Sequence, residues 1–379
     1  MKYEFSIPMM YSKEKINQLI DINRNVDKSE IKTLYFSLPV SNELFTGFEQ
    51  PRNQLIEFNT FDFWKDLSEY SLSKGFNIIY NLNSARTVNF EKPELKKQLE
   101  KLDKLLIELQ KSGVNKLRIS NIQLLEYILK YYPYFEIYVS TVTNYKTIQE
   151  FKNLKLLYPK IKQVIPAQDM NKNFLLLKNI KNKLNLDMEI MCNDGCIQGC
   201  INFYNHQAMN NYEENYLKGI TPASTCSNIM NMNPFKYLCQ TTHVFPWEIE
   251  EYGQIGITKF KLTGRDGIKD TNKTSSNYAI DMYYRYLKGI DDVKTLDDFS
   301  IELFLNNSRV HERLKLLKGK DVIKFFPKIK YFKKYGHLCA SRCNVECRYC
   351  YMCAEKIQKL YDKKLKIEQK RHIPICTIK

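Results

Sequence analysis

The 379-residue chain lacks several features that would place it at once in a class of proteins. It has no apolar run near 18 residues, so we expect no membrane span. Its start, MKYEFSIPMM, lacks a charged segment followed by a long apolar core, so we expect no secretory signal. It contains no GxGxxG, no P-loop and no Gly-Gly pair, which excludes the two common phosphate-binding loops. At 44% hydrophobic and 26% charged residues it can bury a full core, which argues against disorder.

Cysteine is absent from the first 191 residues and then occurs eleven times. Five cysteines lie in 192–239, five in 339–353, and Cys376 stands alone. An odd count without a secretory signal indicates the reducing cytoplasm rather than a disulfide scaffold. Because cysteines that only fill a core would be scattered, the two clusters indicate chemistry.

Acidic residues are scarce in the last sixth of the chain. The whole chain has 58 Lys+Arg, 42 Asp+Glu and a net charge of +16. From Arg313 to Lys379 there are 19 basic and 5 acidic residues, a net charge of +14. A solvated basic helical tail explains this excess. The sharper alternatives are a site for a polyanion such as RNA, or compensation for an anionic metal cluster.

Residues 1–290 alternate between short apolar runs and longer amphipathic stretches. Eight strand-like runs, each followed by a helix-like stretch, predict an α/β fold of the (β/α)8 TIM-like type. The runs are YEFSI, IKTLYFSLPV, FNIIYNLN, NKLRIS, FEIYVST, IKQVIPA, LDMEIMC and ITKFKLTGR. An open doubly wound sheet is the alternative. The pattern stops near residue 291, and we expect 291–379 to form a small, basic, cysteine-rich helical C-terminal domain.

The first cysteine group follows the seventh strand. Cys192, Cys196 and Cys200 are spaced by four, so Cys196 and Cys200 share a face if the segment is helical. Cys226 and Cys239 follow without clear periodicity, where a loop can complete a four-thiolate set. The carboxyl ends of barrel strands are where active sites are built. We favour an iron–sulfur cluster. Structural zinc, which usually shows C-x2-C knuckles, and metal-free buried thiols are the alternatives.

The second group is CASRCNVECRYCYMC, in which five thiols lie within fifteen residues. It contains C-x3-C-x2-C, the spacing of radical S-adenosylmethionine enzymes, but only 26 residues follow Cys353, too few for a barrel. We expect four of the five to bind a second 4Fe–4S cluster, or zinc, in a small helical unit. The five are Cys339, Cys343, Cys347, Cys350 and Cys353.

Three polar residues are candidates for catalysis. Arg265 ends the eighth strand, where its guanidinium can hold a carboxylate bidentately, although a surface arginine explains it equally well. Asn193 lies at the mouth of the seventh strand. His206 follows Cys200 by six residues and is either a polar helix residue or a cluster neighbour and acid/base. No nucleophile–base pair for hydrolysis stands out.

Seven stretches, in the expected order and across almost the whole chain, resemble peptidase family U32, also called collagenase-like peptidases. They include TGFEQPR, SGVNKLRISN, MEIMCNDGCIQGCINFYNHQ, PWEIEEYGQIGITKFKLTGR and CNVECRYCYMCAEKI. The resemblance implies a (β/α)8 barrel with a cysteine-bound 4Fe–4S cluster after strand seven. It also implies a relation to oxygen-independent hydroxylation proteins that act on ubiquinone precursors, transfer RNA or ribosomal RNA.

The resemblance also assigns residues. Glu189 matches the family glutamate before the cysteines, and the implied cluster ligands are Cys196, Cys200, Cys226 and Cys239, with Cys192 as a further candidate. Glu248 and Ile249 stand where relatives with a terminal cysteine-rich segment often have Arg-Pro.

The sequence therefore predicts a cytoplasmic, oxygen-sensitive iron–sulfur enzyme that hydroxylates or otherwise modifies a small molecule, RNA or peptide. Arg265 would hold an anionic co-substrate. The alternatives are a U32-type peptidase and a zinc- or RNA-binding protein without catalysis. The expected partners are the anionic substrate and either a partner protein or a second copy of the chain, but no membrane.

Overall fold

The computed structural model describes residues 2–38, 61–83, 92–194, 196, 198–209, 232–264, 274–298, 314, 316–342 and 345–371. Within these residues, no helix combines the length and apolar character needed to cross a membrane.

Eight parallel strands close into a barrel in chain order, with the last strand paired to the first. The eight predicted strands are therefore confirmed, and the open sheet is excluded. The strands are β1 (Tyr3–Pro8), β2 (Ser29–Phe36), β3 (Asn77–Leu82), β4 (Lys116–Ile119), β5 (Glu136–Val139), β6 (Gln163–Val164), β7 (Asp187–Met191) and β8 (Lys259–Lys261).

Helices surround the strands, as the amphipathic stretches predict. Those of the barrel are α1 (Lys13–Asn25), α2 (Phe61–Ser73), α3 (Lys92–Lys111), α4 (Ile122–Tyr131), α5 (Ile148–Leu157), α6 (Phe174–Leu184), α7 (Phe203–Met209), α8 (Pro234–Gln240), α9 (Ile249–Gly253) and α10 (Thr274–Asp291). The C-terminal helices are α11 (Gly319–Ile323), α12 (Ile329–Tyr335), α13 (Cys339–Arg342) and α14 (Tyr349–Arg371).

Local signals explain where helices begin and end. Gly113 adopts a φ of +79° after α3, and its N–H and that of Val114 donate to the carbonyls of Gln110 and Leu109. This is the left-handed helix end that favours glycine. The helix α5 begins at Ile148, because Thr147 and Glu150 form a reciprocal capping box.

The C-terminal helices pack directly onto the barrel. Phe326, near α11, lies edge-on to Phe245 and Trp247, with ring centroids 4.8 and 5.7 Å away. A methyl group on Gly336 would lie 1.9 Å from the carbonyl oxygen of Lys172, so the backbones touch there. Buried residues of this region belong to the same continuous apolar core as the barrel strands. The segment with the second cysteine group is thereby held against the loop that leads into α6.

Candidate functional site

Charged side chains occupy the interior of the barrel. Arg118 on β4 is fully buried, and its Nη2 donates to Glu189 Oε2 on β7 at 2.5 Å. Because β4 and β7 are not neighbours, this ion pair crosses the lumen. Ser6 donates to the other oxygen of Glu189. Lys261 lies over the ring of Tyr35 at 4.0 Å. Arg118 and Lys261 thus place positive charge beside Tyr35, whose ring both cations contact.

The guanidinium of Arg118 is incompletely bonded. Its Nε and Nη1 are buried and have no hydrogen-bond partner among the described residues. A buried donor without a partner costs about 1–3 kcal/mol, more for a charged group. The centre of the barrel therefore retains cationic hydrogen-bonding capacity.

Polar residues at the carboxyl ends of the strands form the mouth of the barrel. The side-chain amide of Asn193 makes two hydrogen bonds to the backbone of Thr263: Nδ2 donates to the carbonyl at 2.8 Å, and Oδ1 accepts from the N–H at 2.6 Å. Asn193 thus ties the segment directly after β7 to the segment directly after β8. Gln168 donates to Asp194 at 2.6 Å. The side-chain oxygens of Asn81, Asn83 and Gln168 are buried without a partner in the described part of the chain.

Two of the predicted cluster cysteines share a recess at this mouth. Cys196 and Cys200 line it together with Asp169 and Phe203, and the N–H of Gly199 donates to Asp169 at 3.0 Å. Burial, followed by the charges of Asp194, Cys200 and Asp169, raises the pKa of the Cys196 thiol well above its usual value. Without a metal or another positive charge nearby, Cys196 is therefore protonated.

Of the other residues predicted near the barrel mouth, Cys192 and His206 lie in the described part of the chain. Cys192 is fully buried, contacts the carbonyl of Ile190 at 3.5 Å, and burial raises its thiol pKa to about 12, as in a packing residue. His206 lies in α7, partly exposed. Three predicted site residues lie outside the described part of the chain: Cys226, Arg265 and Cys343.

A larger cavity, of about 260 Å³, lies between the barrel loops and the C-terminal helices. Four cysteines line it: Cys239 of α8, Cys339 of α13, Cys347, and Cys350 of α14. The structure thus places Cys239 beside the second cysteine group, whereas Cys196 and Cys200 line a different recess. Across the described residues, no three His, Cys, Asp or Glu side chains converge closely enough to ligate one ion.

Charged and aromatic residues complete this thiol cavity. Tyr331 places its hydroxyl 2.9 Å from Cys347 Sγ, and this contact, together with burial, raises the tyrosine pKa. Lys172 donates to both carboxylate oxygens of Glu248 at 2.7 Å. Glu248 is therefore half of a buried ion pair that borders the cavity. Arg342 also lines it and pairs with Glu346 at 3.2 Å.

Sequence reasoning missed Arg118, Lys261 and the Lys172–Glu248 pair. For the first two a signal was present, because a charged residue inside an otherwise apolar strand, as in NKLRIS or ITKFKLTGR, must face a polar lumen. Lys172 lies in a polar loop segment and carries no such signal.

The chain resembles known proteins in sequence and in fold. The family model for peptidase family U32 matches residues 40–311. The structure of the U32 peptidase Mk0906 is 10% identical, with a TM-score of 0.44, over 69% of this chain and 92% of that chain. Two structures of a GH113 β-1,4-mannanase are 11% and 13% identical, with TM-scores of 0.37 and 0.36, over 75% of this chain and 99% of that one. A search of curated proteins found no match.

Proposed function

This chain belongs to peptidase family U32, and from that premise we propose that it is an iron–sulfur enzyme. We propose that it modifies an anionic small molecule, RNA or peptide, by oxygen-independent hydroxylation or a related reaction, at the carboxyl-terminal mouth of the barrel.

The observation that carries the proposal is the position of the thiols. Cys196 and Cys200 share a recess directly after β7, at the end of the barrel where enzymes of this fold act. Their donor chemistry fits an iron–sulfur cluster, which takes cysteine thiolates as ligands. A buried thiol such as Cys196 is held protonated by its surroundings, and a bound metal removes that obstacle by stabilising the thiolate. When bound, such a cluster supplies one-electron chemistry.

The chain's own residues bind and orient the substrate. Arg118 and Lys261 supply positive charge inside the barrel, and Glu189 holds Arg118 in place through a direct ion pair. The unsatisfied oxygens of Asn81, Asn83 and Gln168 are acceptors for substrate N–H or O–H groups. The two hydrogen bonds between Asn193 and Thr263 hold the segment after β7, from which the thiol recess is built, against the end of β8. An anionic substrate with hydroxyl or amide donors matches this surface.

One contact favours the peptidase alternative. Thr241 Oγ1 lies 2.5 Å from Nδ1 of His243, the geometry of a hydroxyl beside a base. Burial, and secondarily the charge of Lys172, lowers the pKa of His243 to about 3, however. Such an imidazole is a weak base at neutral pH, where a general base works best with a pKa near the operating pH. Hydrolysis is therefore the second candidate.

Anaerobic purification tests the proposal. We expect iron and acid-labile sulfide in equal amounts, with broad visible absorbance that is lost in air. Zinc without sulfide, or no metal after anaerobic reconstitution with ferrous iron and sulfide, would contradict it. A metal-free chain that cleaves peptides, and loses that activity in Thr241→Ala, would establish the second candidate instead.

A further inference from the structure

We propose that Cys239, Cys339, Cys347 and Cys350 form one composite iron–sulfur centre that joins the barrel to the C-terminal helices. This inference deepens the proposed function and rests on it for the identity of the metal. It differs from the sequence-based grouping, in which Cys239 completes the set with Cys196, Cys200 and Cys226.

The first argument is shared space. The four thiols come from parts of the chain about a hundred residues apart, yet they line the same 260 Å³ cavity. Cys196 and Cys200 do not line that cavity, although Gln198 between them does.

The second argument comes from the packing of the helices that carry the thiols. The helix α8, which carries Cys239, packs against α14, which carries Cys350. Phe235 of α8 also contacts Tyr361 of α14, with ring centroids 5.2 Å apart.

The third argument distinguishes a cluster from a single ion. Zinc holds four sulfurs about 2.3 Å from one point. A four-iron cluster binds each thiolate on a different iron, so the sulfurs stand further apart around a central volume. The described thiols line a cavity of about 260 Å³, which leaves space between them for the core of a cluster.

The surroundings also suit an anionic centre. Cys350 lies in the first turn of the 23-residue helix α14, where the helix dipole stabilises a thiolate. The Tyr331 hydroxyl is within hydrogen-bond distance of Cys347 Sγ and can donate to its thiolate. Lys172 and Arg342 also line the wall of the cavity, where each is paired with a carboxylate, Glu248 and Glu346 respectively.

Cys353 provides a matched control. It lies on α14 one turn after Cys350, but it is buried in the apolar core and does not line the cavity. Cys353→Ala removes a thiol from the same helix without removing a proposed ligand.

The experiment uses the full chain, reconstituted anaerobically with ferrous iron and sulfide. We expect Cys239→Ala and Cys347→Ala each to lose the same cluster, about four irons, and to make the region after residue 313 sensitive to protease. Cys196→Ala should lower iron while that region stays protected. Cys353→Ala should keep both its iron and its protection.

Thiol labelling of the unmutated chain keeps the test valid if a variant fails to fold. With the cluster present, Cys239, Cys339, Cys347 and Cys350 should resist alkylation, and a chelator should expose all four together. The inference fails if Cys239 becomes reactive together with Cys196 while Cys347 remains protected. It also fails if the four thiols hold zinc without sulfide, whereas iron and sulfide that are lost in Cys196→Ala would then still support the proposed function. Iron at these four thiols in a chain without any modifying activity would overturn only the proposed function.

Discussion

The buried Lys172–Glu248 ion pair is a sensitive point for mutation, because it joins the loop before α6 to the segment before α9. The side chain of Glu248 is 1% exposed and that of Lys172 is 9% exposed, and two contacts of 2.7 Å connect them. Glu248 also accepts the N–H of Phe245 at 2.9 Å. Lys172→Met removes the cation and leaves the Glu248 carboxylate buried. Among the described residues, the N–H of Phe245 is then the hydrogen-bond donor that Glu248 keeps.

Removing one partner of a buried ion pair costs about 3–5 kcal/mol, mainly because the other charge is left without compensation. For a chain of this size, that corresponds to a fall in Tm of roughly 4–6 °C. The double variant Lys172→Met/Glu248→Gln removes the stranded charge and keeps an acceptor for Phe245. We therefore expect the double variant to recover about 2–3 kcal/mol of the loss, a coupling within the usual range for contacting residues.

Thermal unfolding followed by circular dichroism, on metal-free and reconstituted protein, measures these differences. The matched control is Lys320→Met, which breaks an exposed pair with Asp298 whose side chains are 53% and 89% accessible. Exposed pairs contribute about 0–1 kcal/mol, so the control should unfold near the original temperature. Equal Tm changes in Lys172→Met and Lys320→Met would refute the reasoning. So would a double variant whose loss equals the sum of its two single losses.

Gly336, His243 and Lys261 each give a further prediction. Gly336→Ala should raise protease cleavage after residue 313 without unfolding the barrel, because its methyl group would lie 1.9 Å from the Lys172 carbonyl oxygen; unchanged cleavage would contradict the close packing. Burial lowers the pKa of His243 to about 3, whereas its pKa in the unfolded chain is about 6.5. Between these two pH values the imidazole is protonated in the unfolded chain and neutral in the folded chain, so lowering the pH favours unfolding. The stability from this residue should then fall by up to about 1.4 kcal/mol per pH unit across that window, and His243→Gln should show a flatter urea-midpoint profile than the unmutated chain. Lys261→Met should weaken binding of an anionic substrate and reduce its dependence on salt, measured by titration at several ionic strengths; an unchanged salt dependence would remove Lys261 from the site.

The barrel was predictable from sequence because each of its elements is a local pattern. Eight near-continuous apolar runs, such as FNIIYNLN, separated by amphipathic stretches allow few arrangements other than parallel strands covered by helices. Gly113 likewise marks the end of α3, because a left-handed backbone conformation favours glycine wherever it occurs. The sequence predicts a site at the carboxyl end of β7 because, in a parallel barrel, all such ends face the same way.

The partners of individual side chains depend on contacts between distant parts of the chain. Nothing near Arg118 in sequence indicates that Glu189 faces it across the lumen, because barrel closure brings β4 and β7 together. Cys239 is closer in sequence to Cys196 than to Cys350, so spacing alone favours the barrel-mouth set. The packing of α14 against α8 places Cys239 in the same cavity as Cys350. The sequence by itself determined that the thiols are clustered and that the first group follows β7. Which of the thiols share a cavity was decided by the tertiary structure, because the packing of helices and strands sets the distances between side chains that are far apart in sequence.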